Sequence, residues 1–166
     1  GAEIINPEEA DRLDEFGSAF YELRKHKGIS ETEALEQMKD PLYFGAMLVK
    51  EGIADGLVAG ADNATANVLR PVIKIIGTEE GVSIVSGSFL MIVPDCEYGA
   101  DGKMLFADSG VFPEGSAEEL AEMAIASADT FEALTGEEPR VAMLSFSTKG
   151  SASHPSVDKM RKAAEI

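Results

Sequence analysis

The chain has 166 residues, of which 45% are apolar and 27% charged, a composition typical of a folded globular protein with room for one domain or parts of two. A balance of 30 acidic against 14 basic residues gives a net charge of −16, and no apolar stretch approaches the roughly 20 residues that span a bilayer, so neither nucleic acid nor a membrane is an expected partner. The single cysteine, Cys96, excludes an internal disulfide and a multi-cysteine metal site, which fits a cytoplasmic protein.

Helices are predicted throughout the first third of the chain. Asn6 is the expected N-cap of the first helix, in which acidic residues come early and basic residues late, as the helix dipole favours. Ser30 and Glu33 form a capping-box pattern at the start of the second helix. The predicted helices cover residues 7–28, 30–40 and 41–52.

Apolar runs alternate with helical patterns after residue 54. Strands are predicted at residues 55–61, 82–94, 103–111 and 140–147, with a hairpin or loop tip at 95–102 and helices at 63–77, 116–136 and 154–166. Pro71 lies inside the first of these helices and predicts a kink or an early turn. Strands that alternate with helices predict an α/β fold with at least partly parallel pairing.

Two strand-to-helix junctions, "AGADNATANVLR" and "SFSTKGSASHP", have the small polar residues that let a ligand approach the backbone. Ligands of α/β sheets collect at the carboxyl ends of strands, where helix N-termini offer unpaired N–H groups to anions. The second junction is not a Walker loop, because Lys149 precedes Gly150. The composition of this second junction is equally consistent with a phosphate site and with an ordinary polar turn.

Two arginines are candidates for binding an anion. Arg70 follows the first junction and has the planar fork of donors that suits phosphate or carboxylate, although an ion pair explains it equally well. Arg24 by itself reads as a solvated basic helix end. His26 and His154 are too isolated to indicate a metal, and His154 before a proline is more typical of a loop or cap residue than of a general base. Cys96 has acidic neighbours that disfavour a reactive thiolate.

The segments "DGLVAGADNATANVLRPVIKIIG", "FADSGV" and "EPRVAMLSFSTKGSASHPSVDKM", together with "YELRKHKG", resemble the phosphate acetyltransferase (phosphotransacetylase) and phosphate butyryltransferase family. The resemblance spans essentially the whole chain. It implies reversible acyl transfer between acetyl phosphate and coenzyme A, which gives acetyl-CoA and phosphate, with coenzyme A as a substrate and with neither a metal nor a bound cofactor. It also implies a cytoplasmic homodimer.

The fold implied by this resemblance is that of the isocitrate and isopropylmalate dehydrogenases. Two α/β domains, each with a mostly parallel sheet flanked by helices, would enclose a cleft. Residues 1–78 would then be part of the first domain and residues 79–166 most of the second, so that the chain is the middle part of a longer protein, truncated at both ends. The family's aspartate proposed as the base for the thiol lies in a C-terminal segment without a counterpart here, so this chain alone is expected to be inactive.

The resemblance also assigns roles to individual residues. Arg70 is expected to hold the phosphoryl group as the catalytic residue, and Arg24 to contact coenzyme A or support the cleft. The remaining candidates for substrate binding lie in the two junctions: Thr65, Ser147, Thr148, Lys149, Gly150 and Ser151.

Acyl specificity and catalysis itself remain open at this point. "FADSGV" departs from the family's more usual "ADCAVN"-like form, and "VFPEGS" lacks an expected asparagine, so the sequence leaves both acetyl and butyryl transfer possible. A non-catalytic domain that senses acyl-CoA, as in the domains fused to malic enzymes, is the alternative of another class. A hydride-transferring relative would need clustered aspartates, which the sequence lacks.

Overall fold

Helices dominate the architecture of the chain, in a computed structural model that describes all residues from 1 to 166. The chain divides into two compact units, unit 1 (Gly1–Gly77) and unit 2 (Thr78–Ile166). Unit 1 contains α1 (Leu13–Arg24), α2 (Glu31–Met38), α3 (Pro41–Lys50), α4 (Thr65–Ile75) and two 3₁₀ turns at Pro7–Glu9 and Lys25–Lys27. Unit 2 contains β1 (Ser88–Ile92), β2 (Lys103–Ala107), α5 (Ala117–Thr135) and α6 (Pro155–Glu165).

The first predicted helix is three pieces instead of one. Asn6 caps the first 3₁₀ turn as expected, but Ala10 adopts an extended backbone with ψ of 133°, so α1 begins only at Leu13. The second 3₁₀ turn follows α1 and ends at Gly28, whose φ of +84° favours glycine. The predicted end of the helical segment is therefore confirmed, and its continuity is wrong.

The capping signals of α2 and α3 act as the sequence predicts. The Ser30 side chain accepts a hydrogen bond from the N–H of Glu33, and the Glu33 carboxylate accepts one from the N–H of Ser30. Asp40 caps α3 by accepting from the N–H of Leu42 at 2.8 Å. These caps satisfy N–H groups that have no partner inside their helices, which fixes where each helix begins.

The core of unit 1 lies among all four of its helices. Phe16 and Phe44 pack with their rings tilted by 53° at a ring-centroid distance of 5.0 Å. At Gly17 an added Cβ would lie 2.9 Å from Cδ1 and 3.1 Å from Cα of Leu35, so only glycine allows α1 and α2 to approach this closely. The core comprises Phe16, Phe20, Ala34, Met38, Tyr43, Phe44, Ala46, Met47 and Ile75.

Helix α4 runs through Pro71 from Thr65 to Ile75, so the early turn predicted at this proline is absent. Pro71 and Ile75 are buried and lie one turn apart on the same face of the helix. The proline removes one helical hydrogen bond, and burial of this face in the core holds the helix together across it.

The predicted parallel sheet is absent from this chain. The only sheet is an antiparallel pair in which β1 lies opposite β2, with Ser88 opposite Ala107 and Ile92 opposite Lys103. The predicted strands at 55–61 and 140–147 do not form, and those at 82–94 and 103–111 shrink to β1 and β2. A strand exists only through ladder bonds to a neighbour, and the backbone of residues 57–60 and 141–144 has no backbone partner in this chain.

Unit 2 is built from the β1–β2 hairpin and the two helices that follow it. The connection between the strands, predicted as a hairpin or loop tip, contains Asp95 and Asp101 with φ of 54° and 50°. Ser116 and Glu119 form the capping box of α5, and Gly136 ends this helix with φ of 70°, both as the sequence predicts. Helix α5 packs against β2 and α6. None of the helices has the length and hydropathy needed to cross a membrane.

Candidate active site

Arg24 lies at the end of α1 and lines a cavity of about 670 Å³ within unit 1. Lys27 and Lys74 line the same cavity, with Phe20 as an apolar wall. None of the seven ion pairs in the chain involves Arg24, Lys27 or Lys74. Three cations without ion-pair partners therefore line this cavity, together with the carboxylates Glu33, Glu36 and Asp40.

The carboxylates that line this cavity are engaged elsewhere. Glu33 closes the capping box of α2, Glu36 pairs with Lys39, and Asp40 caps α3. The pKa of Glu33 is lowered by its hydrogen bonds from the Ser30 backbone and side chain, so its charge is stabilised within its own helix. The cations of the cavity therefore keep donors free for a ligand.

Helix α4 carries Thr65 at its first position and Arg70 in its middle. The two residues are five apart, which places them about 140° apart around the helix axis, so they do not share a face. Arg70 is four residues before Lys74 and does share its face, one turn away. Lys74 donates a hydrogen bond to the Tyr43 hydroxyl at 3.0 Å and lies over the Tyr43 ring. Arg70 is exposed, forms no ion pair and does not line the Arg24 cavity.

The candidate loop of unit 2 folds into a tight turn. Lys149 and Gly150 both have positive φ, at 48° and 78°, and the N–H of Ser151 donates to the carbonyl of Thr148 at 3.1 Å. Two left-handed central residues define the mirror-image turn type that glycine favours. All five candidate residues, Ser147 to Ser151, are thereby brought together.

Serine hydroxyls hold the shape of this loop. The Ser147 hydroxyl accepts from the N–H of Ala152 at 3.0 Å, and the Ser151 hydroxyl accepts from the N–H of Thr148 at 3.1 Å. The Thr148 hydroxyl, the Lys149 ammonium and the N–H groups of Lys149 and Gly150 have no partner within the chain. The loop thus presents a cation and backbone donors, a combination that suits a phosphate group.

The candidate loop leads into α6, whose N-cap is His154. The ring Nδ1 of His154 lies 3.2 Å from the backbone nitrogen of Ser156 and accepts its N–H, which confirms the predicted cap. A cavity of about 680 Å³ within unit 2 is lined by Ser145 and Phe146 at the start of the loop and by Ser156 in the first turn of α6. A helix N-terminus next to this loop adds a partial positive charge at the same place.

Asp108, just after β2, also lines the cavity of unit 2, and the sequence interpretation did not identify it. Its Oδ1 accepts from the N–H of Gly87 at 2.6 Å. Its Oδ2 accepts from the N–H groups of Gly110, Val111 and Phe112 at 2.8, 2.9 and 2.9 Å. The signal in the sequence is an acidic residue before glycine at a strand end, a pattern typical of turns in which the side chain binds its own backbone.

The charge of Asp108 is strongly stabilised. Partial burial alone would raise the pKa of Asp108, but hydrogen bonds from the backbone N–H groups of Gly87, Phe112, Gly110 and Val111 outweigh it and lower the pKa to about 2. Asp108 is therefore ionised throughout the neutral range and does not serve there as a general acid or base.

Lys27 and Lys74 were also missed by the sequence interpretation. Lys27 lies in "YELRKHKG" beside the basic helix end around Arg24, and Lys74 follows Arg70 by one helical turn. The spacing of Arg70 and Lys74 is a signal that the sequence contains, because residues four apart share a helix face. That Lys74 and Arg24 line one cavity depends on the packing of separate helices, which no local spacing reveals.

Comparison with known proteins gives a consistent result over the whole chain. The sequence pattern of the phosphate acetyl/butaryl transferase family matches residues 1–166. The chain is 58% identical to the phosphate acetyltransferase of Thermoanaerobacterium thermosaccharolyticum and 50% identical to that of Clostridium acetobutylicum, over 165 residues in each case. Each match covers 99% of this chain and 50% of the relative, so the chain spans about half the length of these relatives.

A solved structure agrees with this relationship. The crystal structure of a phosphotransacetylase from Streptococcus pyogenes superimposes with a TM-score of 0.86 at 44% sequence identity, over 98% of this chain and 48% of that one. The resemblance inferred from the sequence is therefore confirmed, and the chain belongs to the phosphate acetyl/butaryl transferase family.

Proposed function

We propose that the protein to which this chain belongs catalyses the reversible transfer of an acetyl group between acetyl phosphate and coenzyme A. The observation that carries this proposal is the family match over residues 1–166, together with 58% identity to a protein named phosphate acetyltransferase. That name, and the same name on the relative at 50% identity, favour acetyl over butyryl as the acyl group.

The reaction needs positive donors on the phosphate and a base for the thiol. The sulfur of coenzyme A attacks the carbonyl carbon of acetyl phosphate. The bond between this carbon and the oxygen that bridges it to phosphorus breaks, and inorganic phosphate leaves with the bonding electrons. The thiol proton passes to a base, which the resemblance to the family implies is an aspartate in a segment without a counterpart in this chain. Cations that bind the phosphoryl oxygens both orient the substrate and stabilise the leaving group.

Four sets of donors in this chain have the chemistry that these steps require. In this proposal Arg70 is the catalytic residue that binds the phosphoryl group, and its lack of an ion pair leaves its whole donor fork available. Arg24 binds coenzyme A, with Lys27 and Lys74 around the same cavity. The turn from Ser147 to Ser151 offers Lys149 and free backbone N–H groups to phosphate. Thr65 offers a hydroxyl at the start of α4.

We also propose that the parallel sheet predicted from the sequence forms in the whole protein. Residues 57–60 and 141–144 are apolar and lack backbone partners, and segments outside this chain would supply the neighbouring strands. Residues 1–78 and 79–166 would then be parts of two α/β domains in a cytoplasmic homodimer.

The direct test is the formation of acetyl-CoA from acetyl phosphate and coenzyme A by the 166-residue chain. Wild-type protein is compared with Arg70→Ala, and with Arg12→Ala as a control that removes an exposed arginine already paired with Glu15. Turnover that Arg70→Ala abolishes and Arg12→Ala leaves unchanged would place every residue needed for the chemistry inside this chain. Binding of acetyl phosphate without turnover would support a separate location of the base, or a sensing domain in place of an enzyme.

Binding of phosphate provides a second readout for Arg70. We expect Arg70→Ala to weaken phosphate binding by about 2 kcal/mol, roughly 30-fold, because it removes a charge-assisted contact. Titration calorimetry with inorganic phosphate and with acetyl phosphate measures this loss. An affinity equal to that of wild type and of Arg12→Ala would contradict the role of Arg70.

A further inference from the structure

Tyr43 on α3 and Lys74 on α4 form a contact next to the cavity that Arg24 lines. The Lys74 Nζ donates a hydrogen bond to the Tyr43 hydroxyl at 3.0 Å, and the same ammonium lies 5.5 Å from the centre of the Tyr43 ring. Tyr43 is only 5% exposed, and Lys74 forms no ion pair. A buried, neutral partner therefore holds this lysine side chain in place, and the ammonium keeps further N–H donors for a ligand.

Tyr43 also contacts α1, the helix at whose end Arg24 lies. Its ring packs edge-on against the buried ring of Phe20, at a ring-centroid distance of 5.7 Å. Phe20 and Arg24 are four residues apart, so they share a face of α1, and both line the cavity. One tyrosine thus touches the helix of Arg24 through its ring and binds the side chain of Lys74 through its hydroxyl.

The contact also bears on the face of α4 that carries Arg70, because Lys74 follows Arg70 by one turn of the helix. Pro71 lies between these two residues and removes one helical hydrogen bond from the segment. The placement of this face therefore depends on contacts with other helices, and the hydrogen bond between Lys74 and Tyr43 is such a contact.

The cations at the cavity come from separate parts of unit 1. Arg24 and Lys27 lie at the end of α1 and in the 3₁₀ turn that follows it, whereas Lys74 belongs to α4. Coenzyme A carries several phosphate groups, so a site for it gains from cations that are in place before the ligand arrives. A lysine side chain that is already ordered loses less conformational entropy on binding than a free one.

We infer that Tyr43 is a positioning residue for coenzyme A, which holds Lys74 of α4 at the cavity that Arg24 of α1 lines, so that both cations meet phosphate groups of the ligand. The inference rests on the proposed function, since it takes coenzyme A as the ligand of Arg24. Tyr43 does not line the cavity, so it touches no part of the ligand in this role. It acts through Lys74, whose ammonium it orders before binding.

The substitution Tyr43→Phe tests this role with almost no change in shape. It removes the hydroxyl that accepts from Lys74 and keeps the ring that packs against Phe20. Lys74 then loses its hydrogen-bond partner while the core of unit 1 keeps its volume.

Tyr21→Phe is the matched control. Tyr21 on α1 also packs against the core of unit 1, but it neither lines the cavity nor binds Lys74. This variant therefore reports what the loss of a tyrosine hydroxyl does in the same unit when Lys74 is not involved.

The experiment is titration calorimetry of the 166-residue chain with coenzyme A. We expect Tyr43→Phe to weaken binding about fivefold and Lys74→Met about tenfold, while Tyr21→Phe changes it less than about twofold. Lys74→Met keeps the test decisive if Tyr43→Phe fails to fold, which circular dichroism would show.

The double variant Tyr43→Phe with Lys74→Met separates positioning from a general loss of packing. If Tyr43 acts through Lys74, removal of its hydroxyl has no further effect once the ammonium is gone, so the double variant should bind coenzyme A as Lys74→Met does, within about twofold. A purely structural role of Tyr43 would instead make the two losses add.

An unchanged affinity for coenzyme A in Tyr43→Phe or Lys74→Met, or additive losses in the double variant, would overturn the inference. Arg24→Ala distinguishes that outcome from a failure of the proposed function, because weaker binding in Arg24→Ala alone would leave the proposed role of Arg24 standing. A wild-type chain that does not bind coenzyme A would overturn the role of Arg24 and the inference together.

Discussion

The two units differ in how much of their apolar surface they bury. In unit 1, Phe16 is 0% exposed within a core shared by four helices. In unit 2, Leu144 and Phe146 are each 69% exposed on a segment without backbone partners. The difference lies in the kind of structure that each region needs.

A helix satisfies its backbone within itself, whereas a strand depends on its neighbours. The helices of unit 1 therefore need only side-chain contacts to form their core, and α1 to α4 all contribute residues to it. The segments of unit 2 that read as buried strands need neighbouring strands, and β1 and β2 pair only with each other. Local sequence thus produces a buried helical core in unit 1, whereas residues 57–60 of unit 1 and 141–144 of unit 2 remain without neighbouring strands.

The strongest test of this contrast compares Phe16→Ala with Leu144→Ala. We expect Phe16→Ala to lower the free energy of unfolding by about 3–5 kcal/mol, because it leaves a cavity in the core. We expect Leu144→Ala to change it by less than about 0.5 kcal/mol, since the side chain is exposed. Urea unfolding followed by circular dichroism measures both. A large loss in Leu144→Ala would mean that its segment is buried in solution, and the contrast between the units would fail.

A test specific to unit 2 uses the acid stability of its Asp108 junction. The folded pKa of about 2 lies below the value of about 3.9 for a free aspartate, so the ionised carboxylate stabilises the folded state above about pH 4. This contribution falls as the pH drops toward 2, where the folded carboxyl itself takes up a proton. We therefore expect the stability advantage of wild type over Asp108→Asn to shrink between pH 4 and pH 2. Unfolding curves followed through the NMR signals of unit 2 would show it, and an advantage independent of pH would contradict it.

The smallest expected effects concern the two capping boxes, one in each unit. Ser30→Ala and Ser116→Ala each remove a side chain that accepts from the third residue of its helix, at 3.2 Å in both cases. Each change is expected to cost about 1 kcal/mol of unfolding free energy. Because capping is local, the two losses should be similar although the cores differ. A clearly smaller loss for Ser116→Ala would show that the start of α5 is already frayed in unit 2.

The caps show what local sequence reasoning can predict in this protein. Ser30 with Glu33 and Ser116 with Glu119 begin helices where their patterns indicate, and Gly136 ends α5. These signals work because donor, acceptor and backbone lie within a few residues of each other. The break near Ala10 was not predicted, and of the two alternatives predicted at Pro71, a kink or an early turn, the early turn does not occur, because burial of the helix face outweighs the lost hydrogen bond.

Some features of the candidate sites also follow from local sequence, whereas others depend on the packing of distant segments. The composition of the loop from Ser147 to Ser151 marks it as a turn with free donors, and the family resemblance singles out Arg24 and Arg70. Spacing alone does not show that Lys74 joins Arg24 at one cavity, or that Asp108 binds the backbone of Gly87, 21 residues away.

The sequence by itself therefore determined most of the helices, their caps, the turn residues and the family, because each of these depends on neighbouring residues or on a pattern along the whole chain. Tertiary structure decided which cations share a cavity, which carboxylates are already engaged, and which apolar segments become strands. Those outcomes depend on partners from other parts of the chain, and a strand without a partner has no ladder to form.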